Sequence, residues 1–430
     1  MGAQQPDGNE PASSSGDPKT ALTVVSRRTM WGMATLLLLP WLFVIFSMGP
    51  QWFQRCAAGW RALTDGSTGK LHHCKPGPWG NLEYIRIAIE PPETFVAVSF
   101  NPEKPIRWFL RGYTAERLTA LWKDAGLTDT QQRELMATAT WDAPSGGVTL
   151  TPPRELMLNL QPQARARIYQ ALGEFAENPL QVHPFRFRTD VIDEWLTNSP
   201  ISSRTEELIR KMLYRQGAST LFADQDLLLA LLETPKERAL AIKTLSRMST
   251  VLMRLRVMPD SDIDDLAKYW GRGRRAKDIR ALLTSLPKTP EGYTIDVGHL
   301  LPMFARKLLY TYPNPDTDPT TSRQDCHWTS MNFFNENADN LFLSLDHIRQ
   351  VVEKDYYPVL GEPTMGDIIF FLTPKGEAIH SCIYIADNIV FTKNGPEPYV
   401  PWMLADLADV RALYSVGLQL ETRVYRHKQW

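Results

Sequence analysis

One stretch near the N-terminus, Thr29–Gln54, contains no charged side chain, and it limits what this chain can fold into more than any other feature. A bilayer core requires about 20 apolar residues in a helix, and the stretch is longer than that. Pro40 bends a membrane helix without excluding one. The sequence therefore predicts a transmembrane helix over residues 29–54. A secretory signal peptide is the alternative, but the long polar leader and the poor cleavage site favour an uncleaved anchor.

The residues on either side of this stretch predict its orientation. Residues 1–28 are rich in Gly, Pro, Ser and Gln, a composition that predicts a disordered tail. Arg27 and Arg28 lie directly before the stretch, and basic residues near a span favour the cytoplasmic side. Three basic residues follow the stretch and nearly balance the count: Arg55, Arg61 and Lys70. We expect a single-pass protein of the inner (cytoplasmic) membrane with most of the chain extracytoplasmic.

Charge and cysteine content narrow the classes of partner. The 47 basic and 48 acidic residues give a formal net charge of −1, which argues against nucleic-acid binding driven by bulk charge. Four cysteines are too few for a disulfide scaffold. Cys56 and Cys74 come just after the predicted span, where an oxidising compartment would allow a disulfide. Two unrelated thiols are the other interpretation.

The middle of the chain is predicted to be helical, and its sequence contains no recognisable catalytic or binding motif. Residues 55–110 are interpreted as a membrane-proximal segment with short strands, and residues 111–290 as a helical domain. Thr114 is placed as the N-cap of the first helix and Gly126 as its stop. Leu, Ala and Met at spacings of three and four extend the helical pattern as far as Met258. The protein partners of this region cannot be named from its sequence.

Residue types suited to thiol catalysis occur in the last third. Asp325 is a good N-cap residue, so Cys326 is expected in the first turn of a helix, where the helix dipole lowers a thiol pKa. His380 begins a segment that alternates as a β-hairpin with its reversal at 386–388. A helix-borne Cys and a His on a rigid sheet are the arrangement that a thiol nucleophile and its general base require.

These residues also carry a family resemblance. The order Asp325-Cys326, then Gly366-Asp367 with an apolar strand, then His380-x-x-Ile-Tyr-Ile resembles the NlpC-type cysteine peptidases of bacterial cell walls. That family has compact papain-like folds. The resemblance implies that Cys326 is the nucleophile and His380 the general base of an amide hydrolase. It also implies that peptidoglycan stem peptides are the substrate, and no cofactor is expected.

A third polar residue orients the catalytic His in that family. Thr392 is the ungapped match to it, so the resemblance implies that Thr392 completes the catalytic set with Cys326 and His380. Asn394 lies two residues further on the same strand face and is the alternative. Lys393 points to the opposite face and is interpreted as a solvated bystander.

The remaining candidates are placed around the substrate. Tyr312 resembles the active-site Tyr of the family, although Tyr310 competes for the role. Asp325 and His327 flank the nucleophile, and His327 stands where the family usually has a small residue, so the pocket wall is expected to differ. Asn394 completes the predicted substrate-binding set.

Two other functions stay open at this point. The C-terminal part is alternatively a catalytically inactive papain-like module that binds a partner. A zinc-stabilised interaction protein is the second alternative, with four candidate ligands: Cys326, His327, His380 and Cys382. The predicted fold class is α+β, with an N-terminal transmembrane helix, a mostly α-helical middle region and a papain-like domain over residues 291–430.

Overall fold

The computed structural model describes residues 69–429, apart from 93–95, 97–100, 102–103, 143–145, 189–190, 218, 288, 314–323 and 416–418. The predicted tail (1–28), the predicted transmembrane helix (29–54) and Cys56 lie outside these residues. Within the described ranges no helix is both long and apolar enough to cross a membrane. The described part of the chain therefore does not contain the membrane helix of the predicted fold class.

An antiparallel sheet of four strands joins the start of the described chain to residues far along it. Its strands are β1 (Leu71–His73), β2 (Asn81–Ile89), β9 (Met248–Val257) and β10 (Tyr293–Asp296), in the order β1-β2-β9-β10. The longest pairing runs from Asn81 opposite Arg256 to Ile89 opposite Met248. Glu83 is buried in this sheet and receives hydrogen bonds from Arg254 and Arg256.

Two small antiparallel sheets lie among the helices of the middle region. Their strands are β3 (Trp108–Arg111), β4 (Thr140–Asp142), β5 (Gly147–Leu150), β6 (Phe185–Arg188), β7 (Tyr214–Gln216) and β8 (Ser219–Phe222), in the orders β3-β5-β4 and β6-β8-β7. Trp108 and Phe222 belong to one continuous apolar core that spans both sheets and the helices between them. The prediction of a mostly α-helical middle region is therefore wrong, because the region is mixed α/β.

The helices of the middle region begin where the local sequence satisfies their first N–H groups. Thr114 accepts a hydrogen bond from Arg117 N, so the predicted N-cap is confirmed, and Gly126 follows the helix at φ +76°. Thr128 and Thr234 each form a capping box with the residue three positions on. The helices are α1 (Ala115–Asp124), α2 (Asp129–Ala137), α3 (Arg154–Leu158), α4 (Pro162–Leu172), α5 (Pro179–Val182), α6 (Ile192–Thr197), α7 (Ser203–Met212), α8 (Gln225–Leu231), α9 (Pro235–Leu245), α10 (Ile263–Trp270) and α11 (Ala276–Ser285).

Strand β9 shows why the helical prediction failed. The segment has Leu and Met at helical spacings, but its burial alternates from Met253 to Val257. It pairs with β2 along nearly its whole length, and β10 covers its other edge. Because backbone pairing on both edges outweighs a weak local preference, the segment is a central strand.

The C-terminal part contains a six-stranded antiparallel sheet. Its strands are β11 (Tyr356–Pro358), β12 (Ile368–Leu372), β13 (Ala378–Ala386), β14 (Ile389–Lys393), β15 (Trp402–Asp406) and β16 (Glu421–His427), in the order β11-β16-β12-β13-β14-β15. The hairpin of β13 and β14 turns through Asp387 at φ +48°, which confirms the predicted reversal. The accompanying helices are α12 (Met303–Leu308), α13 (Cys326–Met331), α14 (Leu345–Asp355) and α15 (Leu407–Tyr414), with 3-10 turns at Val297–Leu300 and Asn340–Leu343.

Helices cover both faces of this sheet, and this arrangement positions the candidate site. One face, with Phe370 and Phe391, packs into the core that contains Trp328 of α13. The other face, with Phe371 and Cys382, packs against Val410 of α15. Because both faces are covered, the central strands β12 and β14 are buried along their whole length.

Candidate active site

Cys326 is the first residue of helix α13. Asp325 precedes it in an extended conformation, and its carboxylate accepts a hydrogen bond from Trp328 N at 2.9 Å. Trp328 is buried against Phe304, with the ring centroids 5.2 Å apart, which holds the helix on the sheet. Only 5% of Cys326 is exposed. The N-cap and the apolar anchor together place the Cys326 side chain at the start of a buried helix.

His380 lies on β13 and is completely buried. Its Nε2 atom is 3.2 Å from Thr392 Oγ1 on the next strand. The ring of Tyr414, the last residue of α15, stacks on the imidazole with centroids 4.2 Å apart and planes 22° apart. Phe371 on β12 is directly opposite His380 in the sheet, and its ring centroid is 5.5 Å away. The imidazole is therefore held by one hydrogen bond and by two aromatic rings.

Asn394 fixes which nitrogen of His380 carries the proton. Thr392 Oγ1 donates its hydrogen to Asn394 Oδ1 at 3.3 Å, so the same oxygen has only lone pairs left for His380. With the Asn394 amide in this orientation, Nε2 is the protonated nitrogen that donates to Thr392. The other nitrogen, Nδ1, keeps its lone pair, and it is buried without a hydrogen-bond partner among the described residues. A bare buried nitrogen is the acceptor that a thiol proton requires.

Ser381 connects Cys326 to the strand that carries His380. Its Oγ donates to the backbone carbonyl of Cys326 at 3.3 Å. The backbone N–H of Ser381 also acts to lower the pKa of Cys326. Burial, followed by charge on Cys326, raises the pKa of Tyr414, whose ring lies on His380. Charge on the Cys326 sulfur thus acts on Tyr414 and on Cys382, two side chains that lie on the His380 side of the sheet.

Burial makes both members of this pair neutral. Burial, followed by the nearby Asp325 carboxylate, raises the pKa of Cys326 to about 12. Burial, followed by the charge of His327, holds the pKa of His380 well below its usual range. The sequence-based expectation of a lowered thiol pKa is wrong, because loss of hydration outweighs the few N–H groups of this short helix. The resting site holds a thiol and a neutral imidazole.

His327 faces away from His380. Its Nδ1 lies 2.9 Å from Ser381 Oγ, and its ring stacks on Phe370 with centroids 6.1 Å apart. Phe370 and Phe371 alternate on β12, so His327 and His380 lie against opposite faces of the sheet. His327 therefore supports the joint between α13 and β13.

The described contacts of Tyr312 and Tyr310 do not involve His380. Burial and the carboxylate of Glu90 raise the pKa of Tyr312, and Tyr310 donates its hydroxyl to Val251 O. The tyrosine that contacts the imidazole is Tyr414, which our sequence analysis missed. It ends a short amphipathic helix in a part of the chain without a motif, and only its stacking on His380 distinguishes it.

Lys393 is also not where it was expected. Its side chain does face away from Thr392, but it is fully buried rather than solvated, because Trp402 and α13 cover that face of the sheet. Nζ donates to the carbonyls of Gly395 at 2.6 Å and Glu397 at 3.1 Å. Burial lowers the pKa of Lys393 to about 8, while Asp325 and Cys326 act in the opposite direction.

The four side chains of the zinc alternative do not form a metal site. Across the described part of the chain, no group of three or more His, Cys, Asp or Glu side chains is arranged to hold a metal ion. Cys382 is a buried free thiol on the same face as His380. Burial, with the charge of Cys326, raises its pKa. The zinc-ligand interpretation of these residues is therefore wrong.

No family model matches this chain, and no curated protein is similar enough to count as a relative. The resemblance to NlpC-type peptidases stays a prediction. The catalytic roles proposed below are therefore inferred from the geometry described above.

Proposed function

We propose that this chain is a thiol-dependent amide hydrolase in which Cys326 is the nucleophile and His380 the general base. One observation carries the proposal. The Thr392–Asn394 pair leaves the lone pair of His380 on Nδ1, and Nδ1 is buried without a partner on a ring that Tyr414 covers, where charge on Cys326 also acts. A polar atom buried without a partner is costly and requires an explanation, and acceptance of a thiol proton supplies one.

The reaction follows from these positions. The Cys326 thiol passes its proton to Nδ1 as the sulfur attacks the carbonyl carbon of the amide. The tetrahedral intermediate collapses as the C–N bond breaks, and the imidazolium gives its proton to the departing amine. Water then attacks the thioester with His380 as base, which releases the acid and restores the thiol.

The neutral resting pair determines when charge develops. Because the thiol pKa is about 12 and that of His380 is lowered, a preformed thiolate is scarce and the proton moves during attack. Lys393 then becomes important, since its ammonium lies close enough for the charge on Cys326 to raise its pKa. The same attraction stabilises negative charge on the sulfur. Lys393 thus offsets part of the burial that disfavours the thiolate.

The substrate class rests on the family resemblance alone. We infer that the scissile amide belongs to a peptide stem of peptidoglycan, as in the cell-wall peptidases that the Cys326 and His380 motifs resemble. This substrate requires that the catalytic part lie outside the cytoplasm. The extracytoplasmic location is part of the proposal.

The test is digestion of purified peptidoglycan, with new amine termini counted by mass spectrometry. Wild type should release peptides, and Cys326→Ala should release none while keeping the wild-type circular dichroism spectrum. Cys74→Ala is the matched control, since it removes a free thiol outside the site. Equal release by wild type and Cys326→Ala would eliminate the nucleophile assignment.

A catalytically inactive binding module is the second candidate. It is favoured by burial: His380 is not exposed at all and Cys326 is almost fully covered. A substrate reaches the sulfur only if the cover over it moves. Calorimetry with soluble muropeptides distinguishes the two candidates, because an inactive module binds them without turnover and binds equally well as the Cys326→Ala variant.

A further inference from the structure

The stacking partner of His380 comes from a helix that the middle region holds in place. Tyr414 ends α15, and its ring covers one face of the imidazole at a centroid distance of 4.2 Å. Phe371 approaches the imidazole from the neighbouring strand. An aromatic ring packed on an imidazole restricts rotation of that ring and keeps water from it. Tyr414 therefore helps to set the orientation of the His380 ring, and with it the direction of the Nδ1 lone pair.

Two arginines of β6 reach helix α15 from the middle region. The sequence of β6 is Phe-Arg-Phe-Arg, and alternation along a strand puts Arg186 and Arg188 on one face. Arg188 donates to both carboxylate oxygens of Asp409 at 2.9 and 2.7 Å. Arg186 donates to the carbonyl of Leu413, the residue before Tyr414. A strand outside the catalytic part thus binds the helix beside its last residue.

Arg186 also acts directly on Tyr414. Burial lowers the pKa of the Arg186 guanidinium, and charge on Tyr414 acts in the opposite direction. The same attraction acts to lower the pKa of Tyr414 against a larger effect of burial. The guanidinium and the phenol are therefore neighbours. Together with the hydrogen bond to Leu413, this fixes the end of α15 over the site.

We propose that Tyr414 is a positioning residue for His380, and that β6 holds it in place through Arg186 and Arg188. This inference rests on the proposed function. It gives the middle region a role in catalysis: the active site is complete only when β6 is docked on α15. Loss of the β6 contacts would let Tyr414 leave the imidazole without removing any group that reacts.

The readout is the pKa of His380, measured by NMR from the ring C–H signals and assigned with a His380→Gln variant. Tyr414→Leu should raise this pKa towards its ordinary value of about 6.5, since water then reaches the imidazole. The groups whose charge acts on His380 or on Tyr414 stay in place: His327, Cys326, Arg186, Cys382 and Asp325. Tyr414→Phe keeps the stacking ring and should restore the lowered pKa.

The arginine variants test the link to the middle region. Arg186→Met should shift the pKa of His380 in the same direction as Tyr414→Leu but by less. The double variant should do no more than Tyr414→Leu alone, because both changes act through one ring. Arg215→Met is the control, since Arg215 is exposed on β7 of the same sheet. Additive shifts, or an Arg186→Met variant that behaves like Arg215→Met, would overturn the link.

Kinetics separate this inference from the proposed function. Tyr414→Leu should lower kcat by roughly 10- to 100-fold, with a much smaller change in KM, as expected for a misplaced base. If wild type hydrolyses nothing but the pKa responds as described, the proposed function fails and the positioning stands. If wild type is active and the pKa of His380 ignores Tyr414→Leu, the positioning is wrong. If Tyr414→Leu does not fold, Arg186→Met against Arg215→Met decides.

Discussion

Replacing Thr392 by Val tests the orientation of the catalytic base, because Val keeps the shape of Thr and removes the oxygen. His380 Nε2–H then has no acceptor in a fully buried site. A buried donor without a partner costs about 1–3 kcal/mol. The proton therefore moves to Nδ1 or the ring turns, and both changes remove the lone pair that receives the thiol proton.

The size of the effect follows from that penalty. Each ~1.4 kcal/mol corresponds to a tenfold change in rate, so Thr392→Val should lower kcat about 5- to 100-fold and leave KM nearly unchanged. General-base catalysis as a whole contributes about 10²- to 10⁴-fold, which sets the upper limit. Thr392→Ser keeps the oxygen and should retain most of the activity.

Asn394 decides the direction of the hydrogen bonds. Asn394→Asp offers only acceptors when ionised, so Thr392 must still donate to it and His380 keeps Nε2–H. Asn394→Leu removes the acceptor and should behave like a milder Thr392→Val. The assays are peptide release from peptidoglycan and ¹⁵N NMR of the imidazole, which reports the tautomer without any substrate. If Asn394→Asp is as damaging as Asn394→Leu, or if NMR shows Nδ1–H in wild type, the proposed relay is wrong.

Three further outcomes are expected. The rate at which iodoacetamide alkylates Cys326, with Cys326→Ser as the blank, should rise about tenfold per pH unit beyond pH 10, because burial raises the thiol pKa to about 12. A rate that reaches a plateau near pH 9 would contradict this. The pKa of Lys393 is about 8 in the folded protein and about 10.4 in the unfolded chain. Its contribution to the free energy of unfolding is therefore least favourable below pH 8 and rises by at most about 3 kcal/mol between pH 8 and pH 10.5. Denaturant titrations of wild type and Lys393→Met should diverge over that interval. Asp367→Ala removes the buried carboxylate that accepts from Arg426 and from Thr364 N, leaving both donors without that acceptor, and should lower the free energy of unfolding by about 1–3 kcal/mol. Glu421→Ala, which breaks an exposed pair with Arg423, should leave Tm unchanged.

Several features near the site follow from the sequence because they depend on neighbouring residues only. Asp325 caps α13 through an N–H three residues later, so its role needs no distant partner. Thr114 caps α1 in the same way. The hairpin of β13 and β14 follows from alternation and from a turn residue, Asp387, that tolerates positive φ. Local rules therefore determine where Cys326 and His380 lie on their elements.

The tertiary structure alone decides the environment of those two residues. A helix N-terminus predicts a reactive thiol, yet the pKa of Cys326 is raised because the helix is buried under the sheet. Strand alternation predicts that Lys393 points away from Thr392, yet it does not predict that α13 covers that face as well. Cys326 and Lys393 lose their hydration through contacts between segments that are distant in the sequence, and no local sequence pattern predicts such contacts.

Tyr414 and β9 show the same limit for contacts between segments distant in the sequence. Tyr414 stacks on His380 from the end of a helix that Arg186 of β6 contacts, and no sequence spacing relates those three elements. Strand β9 has helical spacing but is paired on both edges by β2 and β10. Hydrogen bonds between distant strands and packing between distant side chains are properties of the folded chain. The sequence by itself therefore determines the caps, the turn and the chemical groups, and the fold decides which groups meet and how much water reaches them.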